Sequence, residues 1–325
     1  MQAFAYAAPT TLAEALALLA SEWGEADVLA GGTDLLSLLK DDVHAPKRVV
    51  NIKGIKELGG IQKTAAGLRI GALVTLDELL SSPDVAAYPC LVTAARGVAS
   101  PQMRNMGTVG GDLCQRPRCW YFRAGYGILA RDKDGRNLAR DGDNRYHAIF
   151  GNQTACFVSA SSFGPPLAAL NAVAKVASAK GTRELPVEKL FVTPQSNSER
   201  EIALAPNEIL TEVVIPGEAV RSATYEVRQR ETLDWPLATA SVALTMKGTA
   251  VGSARVVLGH VAPVPWRAAA AEKALAGRAL TTANIEKAAQ AAVEGATPLS
   301  GNAYKVQLAR AAVKRALAEI ARQKG

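Results

Sequence analysis

Apolar positions near the N-terminus recur with a helical period and then with a strand period. Leu12, Ala15, Leu16 and Leu19 follow at helical spacing behind Thr11-Leu12-Ala13-Glu14, whose Thr and Glu have the spacing of a capping box. Asp27-Val28-Leu29-Ala30 reads as a short strand that runs into Gly31-Gly32-Thr33-Asp34. Residues 35–40 resume an amphipathic turn, and Val49-Val50-Asn51-Ile52 reads as the next strand. The pattern predicts a small α/β unit over residues 1–57.

From Gly67 the pattern turns strand-rich. Residues 68–74 alternate, Thr75-Leu76-Asp77-Glu78 caps a further helix, and 88–99 read as helical up to the break at Ser100-Pro101. Residues 103–112 read as a glycine-punctuated loop, and 114–152 show little periodicity. So long an irregular stretch inside a domain is usually functional or disordered. Order resumes with Cys156-Phe157-Val158-Ser159, a helix near 167–171 and a strand at 173–177. Pro216-Gly217 marks a boundary, dividing 1–217 (lobes 1–57 and 58–217) from 218–325. Beyond it, strands at 223–228, 239–246 and 253–261 precede helices at 267–276, 282–293 and 302–322. Strands followed by helices predict an α+β layer domain.

Composition narrows the function. A chain of 325 residues with 49% hydrophobic and 21% charged residues has room for about two domains with large cores. No apolar run reaches membrane-spanning length, because 163–177 is broken by Pro165, Pro166, Asn171 and Lys175. The N-terminus has no basic, leader-like region, and four cysteines are too few for a disulfide scaffold, so the cytoplasm is expected unless a partner carries an export signal. The net charge of +7 gathers in 104–145 (nine basic, five acidic) and 305–325 (six basic, one acidic). Aromatics are only 5%, without the basic-aromatic interleaving of nucleic-acid binders, so the surplus is read as facing an acidic subunit or an anionic cofactor.

Two glycine loops carry the chemistry. Leu29-Ala30-Gly31-Gly32-Thr33-Asp34-Leu35-Leu36 places paired glycines after a strand, where backbone amides can approach an anion and a Thr hydroxyl adds a donor. It lacks the Lys of a P-loop and the spacing of a Rossmann turn. In Arg104-Asn105-Met106-Gly107-Thr108-Val109-Gly110-Gly111-Asp112-Leu113, glycines again bracket a hydroxyl. Two such loops can wrap a diphosphate from opposite sides, without choosing among FAD, FMN and a nucleotide. His44 and His147 read as loop hydrogen-bonding residues, and no hydrolase triad or zinc motif is apparent. Trp235-Pro236 suits either stacking near a flavin ring or packing.

The two loops resemble those of the FAD-binding medium subunits of the molybdenum hydroxylases: xanthine dehydrogenase, carbon monoxide dehydrogenase and aldehyde oxidoreductase. The resemblance continues through Pro206-Asn207-Glu208-Ile209-Leu210, Arg228-Gln229-Arg230-Glu231-Thr232-Leu233-Asp234-Trp235-Pro236 and Pro298-Leu299-Ser300-Gly301-Asn302-Ala303-Tyr304-Lys305. It implies a two-lobed FAD-binding domain of the vanillyl-alcohol-oxidase (PCMH) type, α+β in class, over 1–217, with a loop insertion at 114–152. A C-terminal α/β layer domain of the carbon monoxide dehydrogenase flavoprotein type would follow over 218–325. FAD would be cradled by Leu29, Ala30, Gly31, Gly32, Thr33, Asp34, Leu35 and Leu36 and by Thr108, Val109, Gly110, Gly111 and Asp112, with Leu210 nearby. The implied role is electron transfer in a heterotrimer with a molybdopterin-binding large subunit and a [2Fe–2S] small subunit. Electrons would pass on to NAD, a quinone, ferredoxin or oxygen. A stand-alone flavin oxidase or reductase, or a scaffold that has lost its flavin, is the alternative.

The chain departs from that pattern in places. Asp112 stands where relatives have Asn, and a carboxylate beside a diphosphate is expected to turn away or bond backbone amides. Ser162 and Glu226 replace an Asp and a Lys, so neither is assigned to the site. Residues 114–152 resemble an insertion that holds a [4Fe–4S] cluster in some branches, and a cubane needs four thiolates. Cys114, Cys119 and Cys156 supply three at most, with His147 or Asp141 as a conceivable fourth, so no metal is expected in this chain.

Overall fold

In the computed structural model, which describes residues 1–231 and 233–323, a small parallel sheet comes first. It comprises β1 (Ala5–Ala7), β2 (Ala26–Leu29) and β3 (Arg48–Asn51) in the order β1-β3-β2. The predicted capping box forms on α1 (Leu12–Ala17): the Thr11 side chain accepts from the Glu14 amide, and the Glu14 side chain accepts from the Thr11 amide. Helix α2 (Leu35–Lys40) starts directly after the first glycine loop. Ala15, Val50, Ile52, Ile55 and Leu58 form the core of this lobe.

The second lobe is built on an antiparallel sheet of β4 (Ile61–Thr64), β5 (Gly67–Gly71), β6 (Val173–Ser178), β7 (Gly181–Pro186) and β8 (Ile209–Pro216), ordered β4-β5-β8-β6-β7. Strand β8, its centre, is not apparent in the sequence. The register shift between Lys175 and Val176 leaves Thr211 of β8 without an opposite residue, so the inward parity flips from Leu210 to Val213 and Ile215. Helices α3 (Leu76–Ser81) and α4 (Pro89–Gly97) form as predicted. The expected loop at 103–112 is instead two short helices, α5 (Pro101–Met106) and α6 (Val109–Cys114). Each is a turn and a half long, too short for periodicity to register, and is set by a cap: Ser100 accepts from the Met103 amide and Thr108 from the Gly111 amide.

The insertion adds α7 (Trp120–Arg123) and α8 (Leu138–Asp141). Residues 156–159 carry no regular element and are pinned by main-chain bonds, among them Ser159 to the Ala262 carbonyl at 2.9 Å. Helices α9 (Gly164–Ala169) and α10 (Val187–Leu190) complete the lobe.

The last sheet is antiparallel, with β9 (Arg221–Val227), β10 (Ala238–Lys247), β11 (Ala250–Gly259) and β12 (Trp266–Arg267) in the order β12-β11-β10-β9. Helices α11 (Ala269–Leu275), α12 (Thr282–Ala291) and α13 (Tyr304–Arg322) follow, with α11 and α13 packed against the sheet. Helix α13 buries Ala309, Ala312, Val313, Ala316, Leu317 and Ile320, each Val, Leu or Ile contributing roughly 1.5–3 kcal/mol. Helices α4 and α9 of the preceding lobe also pack on this sheet, the Cys90 amide reaching the Ser222 hydroxyl at 3.5 Å. Thr232, inside the 228–236 motif, and Lys324 and Gly325, ending the basic C-terminal stretch, lie outside the described residues. No described helix is long and apolar enough to cross a membrane.

Candidate functional site

Strand β2 delivers the first glycine loop to the edge of a cleft, and the loop is shaped by a close approach. A Cβ on Gly31 would run into the Met106 carbonyl, so only glycine lets this loop lie against the end of α5. Gly32 has φ +76°, the left-handed region where glycine is at ease. Among the described residues, the main-chain amides of Gly31, Gly32, Thr33 and Asp34 donate to nothing. Consecutive free amides at a concave turn form an anion cradle.

The second loop differs in kind. The amides of Val109 and Gly110 donate to the carbonyls of Val74 (2.9 Å) and Ala72 (2.8 Å), and that of Asp112 to Thr108 (2.9 Å). The Gly111 amide reaches the Thr108 hydroxyl at 3.0 Å. The amides from Val109 to Asp112 are thus engaged, and the glycines of this loop offer bare surface. A Cβ on Gly110 would sit 2.8 Å from the Ala72 Cβ. Asp112 turns away from the first loop, as its chemistry predicts. It accepts from the Ser161 hydroxyl (2.5 Å), the Phe163 amide (3.0 Å), the Ser162 amide (3.3 Å) and the Gln115 side chain (2.9 Å). Burial pushes its carboxyl up to about 6, against the opposing pull of these donors.

Two adjoining compartments meet at Thr33, Asp34, Thr108, Gly111 and Gln115, with cavity volumes of about 180 Å³ and 300 Å³. The first takes Ala30, Gly31, Gly32, Leu35, Gly110 and Leu210 into its wall. The second takes Asp112 and Ser162. Three residues expected at the cofactor do not line either compartment. Leu29 and Leu36 flank the bare face of Gly32, Leu36 being largely exposed, while Val109 is buried in the lobe core. The Asp34 carboxylate is engaged by the protein: it accepts from the Arg116 amide (2.8 Å) and from Arg123 (2.8 Å) and pairs with Arg118 (3.2 Å). It thereby clamps the start of the insertion to the first loop.

The far end of the first compartment carries residues with no sequence signature. The Arg200 guanidinium lies over the Trp23 ring, 4.2 Å from its centroid. Arg116 donates to His44 Nε2 (2.7 Å), and His44 Nδ1 meets Asp27 at 3.0 Å. Burial raises the Asp27 carboxyl, but the His44 hydrogen bond and neighbouring cations outweigh it and hold the pKa below its ordinary value. Arg116 also pairs with Glu201 at 2.5 Å, while burial lowers its guanidinium to about 10. Trp23, Arg200 and Glu201 come from distant segments, which a linear motif does not connect. Glu226 is buried and ion-paired to Arg228.

Cys119 and Cys156 are neighbours in one small apolar cluster, whereas Cys114 belongs to the first compartment. Among the described residues, no group of three or more His, Cys, Asp or Glu side chains is placed to hold a metal ion. Cys114 lines the first compartment, Cys119 faces His147 at 3.2 Å, and Cys156 packs with Ala130 and Ala139. These residues do not fit a [4Fe–4S] cluster.

Residues 2–218 match the family model of the FAD binding domain in molybdopterin dehydrogenase, and 223–320 match that of the CO dehydrogenase flavoprotein C-terminal domain. The carbon monoxide dehydrogenase medium chain of Hydrogenophaga pseudoflava is 32% identical over 97% of this chain and 96% of its own. The aldehyde oxidoreductase FAD-binding subunit PaoB of Escherichia coli (strain K12) is 33% identical over 99% of this chain and 100% of its own. Among solved structures, the reconstituted CO dehydrogenase of Oligotropha carboxidovorans superposes with a TM-score of 0.79 at 25% identity, covering 99% of both chains. That of H. pseudoflava gives 0.76 at 30%, covering 98% of this chain and 96% of its own. An anion cradle in a long cleft and family matches over both halves lead to one conclusion: this chain belongs to the FAD-binding subunits of the molybdopterin dehydrogenases, oxidoreductase flavoproteins whose role is electron transfer through FAD.

Proposed function

We propose that the diphosphate of FAD rests on the amides of Gly31, Gly32, Thr33 and Asp34, and that Ala30, Leu35, Thr108, Gly110, Gly111 and Leu210 line the cofactor's path. Leu29, Leu36 and Val109 support the loops from behind, and Asp112 braces the second compartment through the 161–163 turn. The four free amides, held open by the approach of Gly31 to Met106, are the observation that carries this reading. Bound there, FAD supplies the capacity to take up and release electrons, while the chain binds it, orients it and limits water.

On this reading 1–217 is the flavin-binding domain and 218–325 a separate C-terminal domain. The chain works as the medium subunit of a heterotrimer, beside a molybdopterin-binding large subunit and a [2Fe–2S] small subunit. The medium-chain and FAD-subunit names of its relatives support this. The outlet is an external acceptor such as NAD, a quinone, ferredoxin or oxygen. We place the complex in the cytoplasm, a reading supported by four unpaired cysteines.

The test is to release the cofactor from the purified chain, alone and co-expressed with its partners, identify it by mass spectrometry, and assay iron and acid-labile sulfide. One FAD per chain without iron is expected. Absence of flavin from both preparations overturns the proposal.

A further inference from the structure

The far end of the first compartment holds a cation without a contact partner. The Arg200 guanidinium lies over the Trp23 ring, 4.2 Å from its centroid, and both residues line the compartment. Arg200 Nε is buried with no hydrogen-bond partner. The two terminal nitrogens also lack partners among the described residues, but they are not sealed: the half-buried side chain opens on the cavity. A guanidinium is planar, so with one face on Trp23 it has its other face and its edge to offer.

The neighbouring charges are already committed to one another. Asp27 faces His44 Nδ1 at 3.0 Å, Arg116 donates to His44 Nε2 at 2.7 Å, and Glu201 pairs with Arg116. Arg200 is near enough to act electrostatically on Asp27 and Arg116 but touches neither. The buried carboxylates of Asp27 and Glu201 set this end of the cleft against a further phosphate or carboxylate.

The rest of the wall selects the ligand by shape. Ile52, Leu73, Leu204, Pro206 and Ile209 make it apolar. An apolar slot that ends in a stacked guanidinium suits an uncharged planar ring with an electron-rich face, because a cation is drawn to the negative face of a π-system. The two compartments meet at Thr33 and Asp34, beside the free amides of the first loop. A dinucleotide whose diphosphate rests on those amides therefore places one half in each compartment. Of its two rings the purine is the electron-rich one, whereas isoalloxazine is an electron acceptor.

We propose that Arg200, backed by Trp23, binds the adenine ring of the cofactor by stacking and makes this chain select FAD over FMN. The proposal rests on the reading of the first loop as the diphosphate cradle, and it assigns the adenosine half to the first compartment and the flavin half to the second.

The test is to strip the purified full-length chain of cofactor and to titrate it with FAD, FMN and ADP by calorimetry, beside Arg200→Ala and Arg200→Lys. Far-UV circular dichroism of the variants is expected to match wild type, since the side chain has no internal partner to lose. Both substitutions are expected to weaken FAD and ADP about tenfold, the equivalent of about 1.4 kcal/mol, and to leave FMN unchanged. Lysine keeps the charge and loses the plane, so full affinity for ADP in Arg200→Lys would overturn stacking. Unaltered ADP affinity in Arg200→Ala overturns the proposal, as does a loss confined to FMN, which would put the flavin ring at this end while leaving the flavin reading intact. A wild-type chain that binds ADP with the expected dependence on Arg200 but takes neither flavin would sink the flavin reading and leave the adenine site standing.

Discussion

One methyl group added at Gly31 would press on the Met106 carbonyl, a main-chain atom that cannot swing aside as a side chain does. Overpacking of this kind costs about 1–3 kcal/mol, so Gly31→Ala is expected to lower FAD affinity roughly ten- to a hundredfold. Flavin absorbance per chain after dialysis measures it, and full retention would show that the loop need not lie this close. Asp112 sets a second residue-scale expectation, through pH. Its folded pKa of about 6 stands above the ordinary 3.8, so between those values the native state binds more protons than the unfolded chain. Stability contributed by the protonated form is complete below about pH 4 and is lost as pH rises toward 6, by up to about 3 kcal/mol. Denaturant midpoints of wild type and Asp112→Asn, compared across that window, should diverge in slope. Parallel profiles would mean that the carboxylate is not the titrating group.

At the scale of elements, the insertion is held by ion pairs as well as by a small apolar cluster in which Phe122, Ile128 and Leu129 pack with Leu38 and Phe157. Asp34, at the start of α2, fastens Arg118, Arg123 and the Arg116 amide. Removing one partner of these half-buried pairs leaves the others without their hydrogen bonds, at a cost of about 1–3 kcal/mol. Asp34→Ala is therefore expected to loosen 116–123 from the first loop, so that trypsin cuts there many times faster while the C-terminal domain stays intact. Unchanged digestion would move the anchorage to the aromatic and His147 contacts. The same element-scale reasoning explains which parts of the fold were legible. Capping boxes on α1 and α3 are local, since four residues contain both donors and acceptors. Strand β8 is not, because its bulge at Thr211 breaks the two-residue period by which a strand is recognised.

For the molecule as a whole, the two halves share packing. Helix α4 and helix α9 lie on the sheet that also carries α13, so the C-terminal sheet is covered by helices of both parts. Calorimetry is expected to give one cooperative unfolding transition, and two separated transitions would show that the halves fold independently. The sequence alone sufficed for the family, the FAD expectation, the two glycine loops and most C-terminal elements, because each is written in short motifs or regular periods. It also sufficed for the behaviour of Asp112, whose charge forbids it from facing a diphosphate. Tertiary structure decided the rest. It left four consecutive amides of the first loop free and closed those from Val109 to Asp112 in the second, which depends on the carbonyls that Ala72, Val74 and Thr108 bring opposite and on the Thr108 hydroxyl. It also brought Trp23, His44, Arg116 and Arg200 to one end of the cleft, and His147 beside His260 across more than a hundred residues of chain. Local patterns encode what a segment can do with its own neighbours in the chain. Which distant side chains share a cavity, and which donors go unpaired there, is set only when the sheets and helices pack.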